Sequence, residues 1–106
     1  MIQASQVENI PLVKSAVYVF SKGPRFETAS EIKAFKKMGA DVVGMTIVPE
    51  AVLSKEIGIE YVSVSVGTNL AAGISKTELT HEEAQDMMRK KEDELKRLFV
   101  RAIKLI

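Results

Sequence analysis

Residues 15–46 carry the sequence SAVYVFSKGPRFETASEIKAFKKMGADVVGMT, from which the class of fold can be predicted. The first seven residues, SAVYVFS, form an almost uninterrupted apolar run rich in β-branched and aromatic side chains. Such a run is typical of a strand that is buried on both faces. Because Gly23 and Pro24 follow shortly after it, we expect this first strand to end there.

The middle of the same stretch predicts a helix that leads into a second strand. Thr28 and Glu31 have the spacing of a capping box, in which a hydroxyl accepts from a first-turn amide and a carboxylate accepts from the cap amide. Apolar residues then recur on one helical face while lysines lie on the other, and Gly39 supplies the left-handed residue that ends a helix. Residues 40–46 follow as the second strand.

The chain then continues to alternate between helix and strand. Pro49 suits the first turn of a helix, which we expect to end at Gly58. In residues 59–67 valines alternate with Tyr61, Ser63 and Ser65, which predicts a third strand.

The last part of the chain predicts a loop over residues 68–76 and then a long helix that begins after Thr80. The first dozen residues are weakly patterned and no internal repeat occurs, so we treat residues 1–106 as one α/β portion. The predicted order is β-α-β-α-β-α, with parallel strands and right-handed crossovers. The predicted inward face of the last helix is Ala84, Met88, Leu95, Leu98, Phe99, Ala102 and Ile106.

A sheet of only three parallel strands leaves two apolar edges unpaired, which proteins normally cover. This favours a piece of a larger structure. It also leaves open a noncatalytic assembly module that binds a partner chain through its sheet edges and last helix.

The composition excludes several classes of function. The chain has 106 residues, no cysteine, a single histidine (His81) and a net charge of +1. Without thiolates and with one histidine, neither a disulfide framework nor a metal site is expected. The balanced charge argues against nucleic-acid binding, and no apolar stretch is long enough for a membrane span. We therefore expect a cytoplasmic protein that binds neither nucleic acid nor membrane.

Residues just after the predicted strands are the candidates for a binding site, because ligands of open α/β sheets bind at the carboxyl ends of strands. Phe26 offers an aromatic face, Glu27 accepts N–H donors, and the Asn69 amide can bind the N7 and O6 atoms of a purine. Each residue also has an ordinary structural interpretation: Phe26 as a core side chain, Glu27 as a helix-terminus carboxylate and Asn69 as a turn residue.

Five motifs together resemble the trimeric purine nucleoside phosphorylase and methylthioadenosine phosphorylase family. They are GPRFET at 23–28, GADVVGMT at 39–46, VPE at 48–50, TN at 68–69 and HEE at 81–83. The resemblance runs from about residue 17 to the C-terminus and matches the C-terminal portion of a considerably longer family subunit. It implies part of the phosphorylase/hydrolase-like mixed-sheet fold, incomplete without the N-terminal portion, and a trimer-based homo-oligomer.

The resemblance also implies a pentosyltransferase reaction without a cofactor. Inorganic phosphate, the co-substrate, attacks the anomeric carbon of a purine nucleoside and gives the free base and a pentose 1-phosphate. Contacts to the base would stabilise the charge that flows into it as the glycosidic bond breaks. The roles implied by the matching positions are catalytic base-holding contacts for Glu27 and Asn69, base and sugar packing for Phe26, ribose contact for Met45, phosphate contact for Thr46, and sugar-hydroxyl contacts for Tyr18 and His81.

Within the family, Asn69 together with Glu27 points to 6-oxopurine nucleosides such as inosine and guanosine. Arg25 also occurs in the methylthioadenosine branch, so that specificity remains the alternative. The family's N-terminal phosphate-holding loop is absent from these residues. We therefore expect little or no phosphorolysis from this chain alone, which would be a truncated product, an isolated domain or one half of a split enzyme that a complementary N-terminal chain completes.

Overall fold

The computed structural model describes residues 1–77 and 80–106, which divide into two compact units. The helical unit comprises Met1–Ser15 and Thr80–Ile106, and the sheet unit comprises Ala16–Leu79. Across the described residues, none of the helices combines the length and hydropathy that a membrane crossing requires. In chain order the elements are α1 (Ile2–Val7), β1 (Tyr18–Phe20), α2 (Ala29–Lys37), β2 (Val42–Gly44), α3 (Val48–Glu56) and α4 (His81–Lys104).

The sheet unit contains a parallel pair of strands joined by a helix. β1 and β2 pair in parallel, with Tyr18 opposite Val42 and Phe20 opposite Gly44. The pairing is extended at its start, where the Asp41 carboxylate accepts a hydrogen bond from the Val17 amide at 2.8 Å. The predicted strand, helix and parallel strand are confirmed.

The α2 helix begins where its sequence predicts. The Thr28 hydroxyl accepts from the Glu31 amide at 3.2 Å, and the Glu31 carboxylate accepts from the Thr28 amide at 2.7 Å, which completes the capping box. Ile32 on the inner face is buried. Gly39 follows the helix with a φ of +89°, in the left-handed region that favours glycine.

The predicted third strand is wrong. Among the described residues, the sheet has two strands, and residues 59–67 belong to neither. Alternation makes a segment suitable for a pleated surface, but a strand forms only where a neighbouring backbone supplies its hydrogen bonds. The helix predicted before this segment is confirmed as α3, with Pro49 in its first turn and Gly58 just beyond its end.

The helical unit packs α1 against α4. Ala4 and Leu98 are buried there, and the Glu8 carboxylate joins the two helices by accepting from Arg101 Nε at 2.7 Å. The sequence analysis did not predict α1, which has no side-chain cap.

The predicted inward face of α4 is only partly correct. Leu98 is buried, but Met88 and Phe99 are 43% and 44% exposed, and Ile106 is fully exposed. Phe99 follows the buried Leu98 directly and therefore points about 100° away from it around the helix, and Ile106 lies beyond the end of α4.

Candidate functional site

A cleft of about 490 Å³ lies at the carboxyl end of β2 in the sheet unit. Three of the predicted site residues, Tyr18, Met45 and Thr46, are among the residues that line it. The full lining is Tyr18, residues 42–47, Glu50, Tyr61 and residues 63–66. The structure thus brings these three residues to one cleft, Met45 and Thr46 from just after β2 and Tyr18 from the start of β1.

Tyr18 is held in the cleft by close contact with β2. Its Oη accepts a hydrogen bond from the Thr46 amide at 3.3 Å. Its ring lies directly over Gly44, where an added Cβ would come within 2.9 Å of Tyr18 Cζ. The absence of a side chain at Gly44 thus gives the tyrosine the space from which it reaches Thr46.

A tight turn follows Thr46. Ile47 has φ 78° and ψ −49°, and the Val48 amide donates to the Thr46 carbonyl at 2.9 Å. These are the features of a classic γ-turn, which is rare and strained, particularly at a β-branched residue. Strained backbone of this kind is concentrated at functional sites, and Ile47 itself lines the cleft.

Met45 connects the cleft to the turn that leaves β1. Gly23 in that turn has a φ of +63°, and a Cβ added there would lie 2.6 Å from Met45 Sδ. Gly23 is therefore favoured by its backbone conformation, and the Met45 thioether packs against it. The loops after the two strands are in direct contact through these two residues.

Glu27 is buried in the same turn, with only 8% of its surface exposed. Its Oε1 atom is a buried side-chain acceptor that has no hydrogen-bond partner among the described residues. The neighbouring Phe26 is 38% exposed, so its interpretation as a core side chain is not supported.

An ion pair flanks Glu27. The Arg25 guanidinium donates to both oxygens of the Glu31 carboxylate at 2.8 and 2.7 Å. Hydrogen bonds from Arg25 and from the Thr28 backbone lower the pKa of Glu31 from its ordinary 4.5 to about 2. The hydrogen bond to Glu31 in turn raises the pKa of Arg25. Both groups are therefore charged at neutral pH.

Asn69 and His81 lie outside the cleft lining. The Asn69 Oδ1 accepts from the Thr68 hydroxyl at 2.6 Å, and its Nδ2 donates to the Leu70 carbonyl at 3.3 Å, as expected of a turn residue. His81 is the first residue of α4 and belongs to the helical unit. Phe26 and Glu27 are also absent from the described lining, so a common site for all the predicted residues stays a prediction.

The cleft also contains polar residues that the sequence analysis did not assign. Glu50, Tyr61, Ser63 and Ser65 all line it. The sequence did contain an indication of these residues, because the alternation in residues 59–67 places the tyrosine and the serines on the opposite face from the valines. Hydroxyl groups donate and accept hydrogen bonds, so this lining suits a ligand rich in oxygen atoms. Among the described residues, no three histidine, aspartate or glutamate side chains are grouped as a metal site would require.

Comparison with known proteins places this geometry in context. A family model described as the phosphorylase superfamily matches residues 1–104. The 6-oxopurine nucleoside phosphorylase of Pyrococcus furiosus is 44% identical over 106 residues, which are 100% of this chain and 40% of that protein. The probable S-methyl-5'-thioinosine phosphorylase of Methanopyrus kandleri is 41% identical over 106 residues, which are 100% of this chain and 41% of that protein.

Solved structures give the same result for the fold. The purine nucleoside phosphorylase of Schistosoma mansoni in complex with inosine has a TM-score of 0.90 and 30% identity, covering 99% of this chain and 38% of that one. The methylthioadenosine phosphorylase of the same organism in complex with adenine has a TM-score of 0.86 and 27% identity, covering 98% of this chain and 42% of that one. The chain therefore spans well under half the length of the relatives that it matches.

Proposed function

The chain belongs to the phosphorylase superfamily, and we propose that it is the base- and ribose-binding portion of a purine nucleoside phosphorylase. The proposed reaction is the phosphate-dependent cleavage of 6-oxopurine nucleosides, such as inosine and guanosine, to the free base and a pentose 1-phosphate. Phosphate is the co-substrate, and no cofactor is required.

The observation that carries this proposal is the unpartnered carboxylate oxygen of Glu27. A buried carboxylate oxygen without a hydrogen bond is costly, so a donor from a ligand would be strongly favoured there. A purine base offers such donors on its rim, at ring and exocyclic nitrogens.

The chemistry of Glu27 also favours one class of purine. In a 6-oxopurine the N1 atom carries a hydrogen and donates, whereas in a 6-aminopurine N1 is an acceptor. A carboxylate accepts only, so it can accept from N1–H of the first but faces a second acceptor at N1 of the second. The methylthioadenosine branch remains the alternative, because Arg25 also occurs there and the exocyclic amino group of a 6-aminopurine can donate to a carboxylate.

The cleft supplies the remaining contacts in this proposal. The thioether of Met45 offers an apolar surface to the ribose, while the hydroxyls of Tyr18 and Thr46 suit sugar and phosphate oxygens. Phe26 would pack near base and sugar, and His81 would contact a sugar hydroxyl.

Rate enhancement would come from contacts to the base. When the glycosidic bond breaks, its electron pair moves into the purine, and negative charge develops on the ring. A hydrogen bond from the Asn69 amide to N7 or O6, with Glu27 holding the opposite rim, would strengthen as this charge develops.

We propose that this chain alone forms only part of the active site, a half-site that lacks most of the phosphate-binding groups. Thr46 is its only predicted phosphate contact, and one hydroxyl does not neutralise a dianion. We therefore assign the other phosphate-binding groups to a complementary N-terminal portion, in a cytoplasmic, trimer-based assembly. Incubation of this chain with inosine and phosphate is expected to give little or no hypoxanthine, and robust turnover would contradict the half-site.

Base binding by the isolated chain is the direct test. Calorimetry with hypoxanthine should show binding that falls about tenfold or more in Glu27→Gln, because hydrogen bonds to charged groups are worth at least one decade of affinity. Glu56→Gln, at the exposed end of α3, is the matched control and should leave the affinity unchanged. Full hypoxanthine affinity in Glu27→Gln would overturn the proposed role.

The second candidate is a noncatalytic assembly module. It is favoured by the exposed apolar side chains of α4, among them Met88, Phe99 and Ile103. Light scattering separates the two functions. A defined complex that is indifferent to hypoxanthine would favour assembly, and stabilisation by the base would favour the purine site.

A further inference from the structure

The two peptide groups that flank Glu27 are held by the two members of a single ion pair. On one side, the carbonyl of Phe26 accepts from Arg25 Nη1 at 3.0 Å. On the other side, the amide of Thr28 donates to Glu31 Oε2 at 2.7 Å. The Arg25 and Glu31 side chains are joined to each other by two further hydrogen bonds of 2.8 and 2.7 Å. Glu27 is thus enclosed in a closed ring of bonds, which we name the Glu27 clamp.

This clamp fixes the backbone from which the Glu27 side chain leaves. Peptide groups are planar, so the backbone at one residue is free to rotate only between the plane before it and the plane after it. Holding both planes fixes both dihedral angles of Glu27 and therefore its Cα–Cβ bond. A capping box alone would hold only the second plane, through the Thr28 amide.

A stabilising effect of the ion pair on the fold does not explain the clamp. The Arg25 and Glu31 side chains are 63% and 37% exposed, and exposed pairs add little to stability. A rigid planar guanidinium is nevertheless needed, since it binds both carboxylate oxygens and the Phe26 carbonyl together. A lysine ammonium is a compact charge without the planar array of N–H donors that makes these bonds together.

The clamp also limits how the unsatisfied carboxylate can move, because fixed backbone dihedral angles restrict the side-chain rotamers available. A free Glu27 side chain would turn towards water to solvate Oε1, which instead is buried without a partner. We propose that Arg25 and Glu31 are positioning residues that hold the Glu27 carboxylate in place for a purine rim. This inference rests on the proposed function, because it assigns the purpose of the clamp to base binding.

The test combines a measurement without ligand and a measurement with hypoxanthine. Arg25→Ala, Arg25→Lys and Glu31→Gln are compared with Lys96→Ala, which breaks an equally short exposed ion pair in the helical unit. Amide hydrogen exchange and ¹⁵N relaxation of residues 27 and 28 report the order of the clamp. Both Arg25 variants should mobilise these amides, and Arg25→Lys should not rescue Arg25→Ala. Lys96→Ala should leave them unchanged.

The ligand measurement is a double-mutant cycle between Arg25→Ala and Glu27→Gln. We expect Arg25→Ala to weaken hypoxanthine binding about fivefold in the native background and by less than about twofold in Glu27→Gln, as coupled residues behave. A residue with a merely structural role would weaken binding equally in both backgrounds, and that result would overturn the inference.

The two proposals fail in different ways. If native protein binds no hypoxanthine while Arg25→Ala still mobilises residues 27 and 28, the proposed function is overturned and the clamp is upheld as a device that orders Glu27. If Arg25→Ala leaves the exchange and relaxation of these amides unchanged, the clamp is overturned whatever the purine affinity.

Discussion

Replacing Gly44 by alanine should destabilise the protein by forcing Tyr18 out of its place. A Cβ at Gly44 would lie 2.9 Å from Tyr18 Cζ, 3.2 Å from Cε2 and closer still to Oη. Carbon atoms attract each other best at about 3.5–4.0 Å, so Cζ has to retreat by at least roughly half an ångström, and Oη, which is closer, by more. Its backbone cannot follow, because Tyr18 is paired with Val42 in the sheet.

The size of the effect follows from two terms. Overpacking by one methyl group typically costs about 1–3 kcal/mol. The hydrogen bond between the Thr46 amide and Tyr18 Oη is already 3.3 Å long, so a displaced ring breaks it at a further cost of about 1 kcal/mol. We expect the free energy of unfolding to fall by about 2–4 kcal/mol in Gly44→Ala.

Urea unfolding of the native protein and four variants measures this loss and identifies its cause. Gly67→Ala is the control, since Gly67 has no left-handed φ and an added Cβ would meet no atom within 4 Å. It should change the stability by less than about 1 kcal/mol, and can increase it. In a Tyr18→Phe background, which lacks Oη, Gly44→Ala should cost about 1 kcal/mol less. The contact would be refuted if both glycine variants cost the same, or if Tyr18→Phe left the cost unchanged.

Three further outcomes are expected. Because its folded-state pKa is depressed, Glu31 stabilises the protein above its ordinary pKa of 4.5, and this stability is lost as the pH falls towards 2. NMR titration of the Glu31 carboxyl should give a midpoint near pH 2, and Arg25→Ala should raise that midpoint. Leu98→Ala should lower the free energy of unfolding by about 2–5 kcal/mol because the side chain is fully buried, whereas Ile103→Ala, at an exposed site of the same helix, should change it by less than about 1 kcal/mol. Glu8→Gln should cost about 1–2 kcal/mol in thermal unfolding, since it removes the carboxylate that pairs with two arginines between α1 and α4, and an unchanged midpoint would contradict this.

The elements that sequence predicted correctly are those with a local cause. The hydroxyls of Thr28 and Thr80 both accept from amides three residues later, and the helices start there as predicted. The missed helix, α1, has no side-chain cap and no acidic residue in its first turn. Its helical state depends on packing against α4, a contact distant in sequence, and local patterns carry no information about it.

The predicted family is confirmed, but the site was predictable only in part. Met45 and Thr46 were singled out because ligands of α/β sheets bind at the strand ends, whereas Tyr18 was assigned only from the family resemblance; all three line the cleft. The link between Arg25 and Glu31 was missed because it spans a turn over six residues, a spacing that no helix or strand rule connects. The capping box already accounted for Glu31, so nothing in the sequence indicated Arg25 as its second partner.

The predicted base contacts differ in what a purine would have to displace. Glu27 has an oxygen without a partner, so a purine N–H adds a hydrogen bond there and removes none. Both polar atoms of Asn69 already bind their neighbours, so a contact with N7 or O6 would replace existing bonds at little net gain. Affinity for the base should therefore depend mainly on Glu27. Asn69 would contribute where charge accumulates on the ring, because only there does its hydrogen bond become stronger than the one it gives up. If the proposed activity is reconstituted with an N-terminal portion, substitution of Glu27 should thus raise the dissociation constant for the base, whereas substitution of Asn69 should mainly lower kcat.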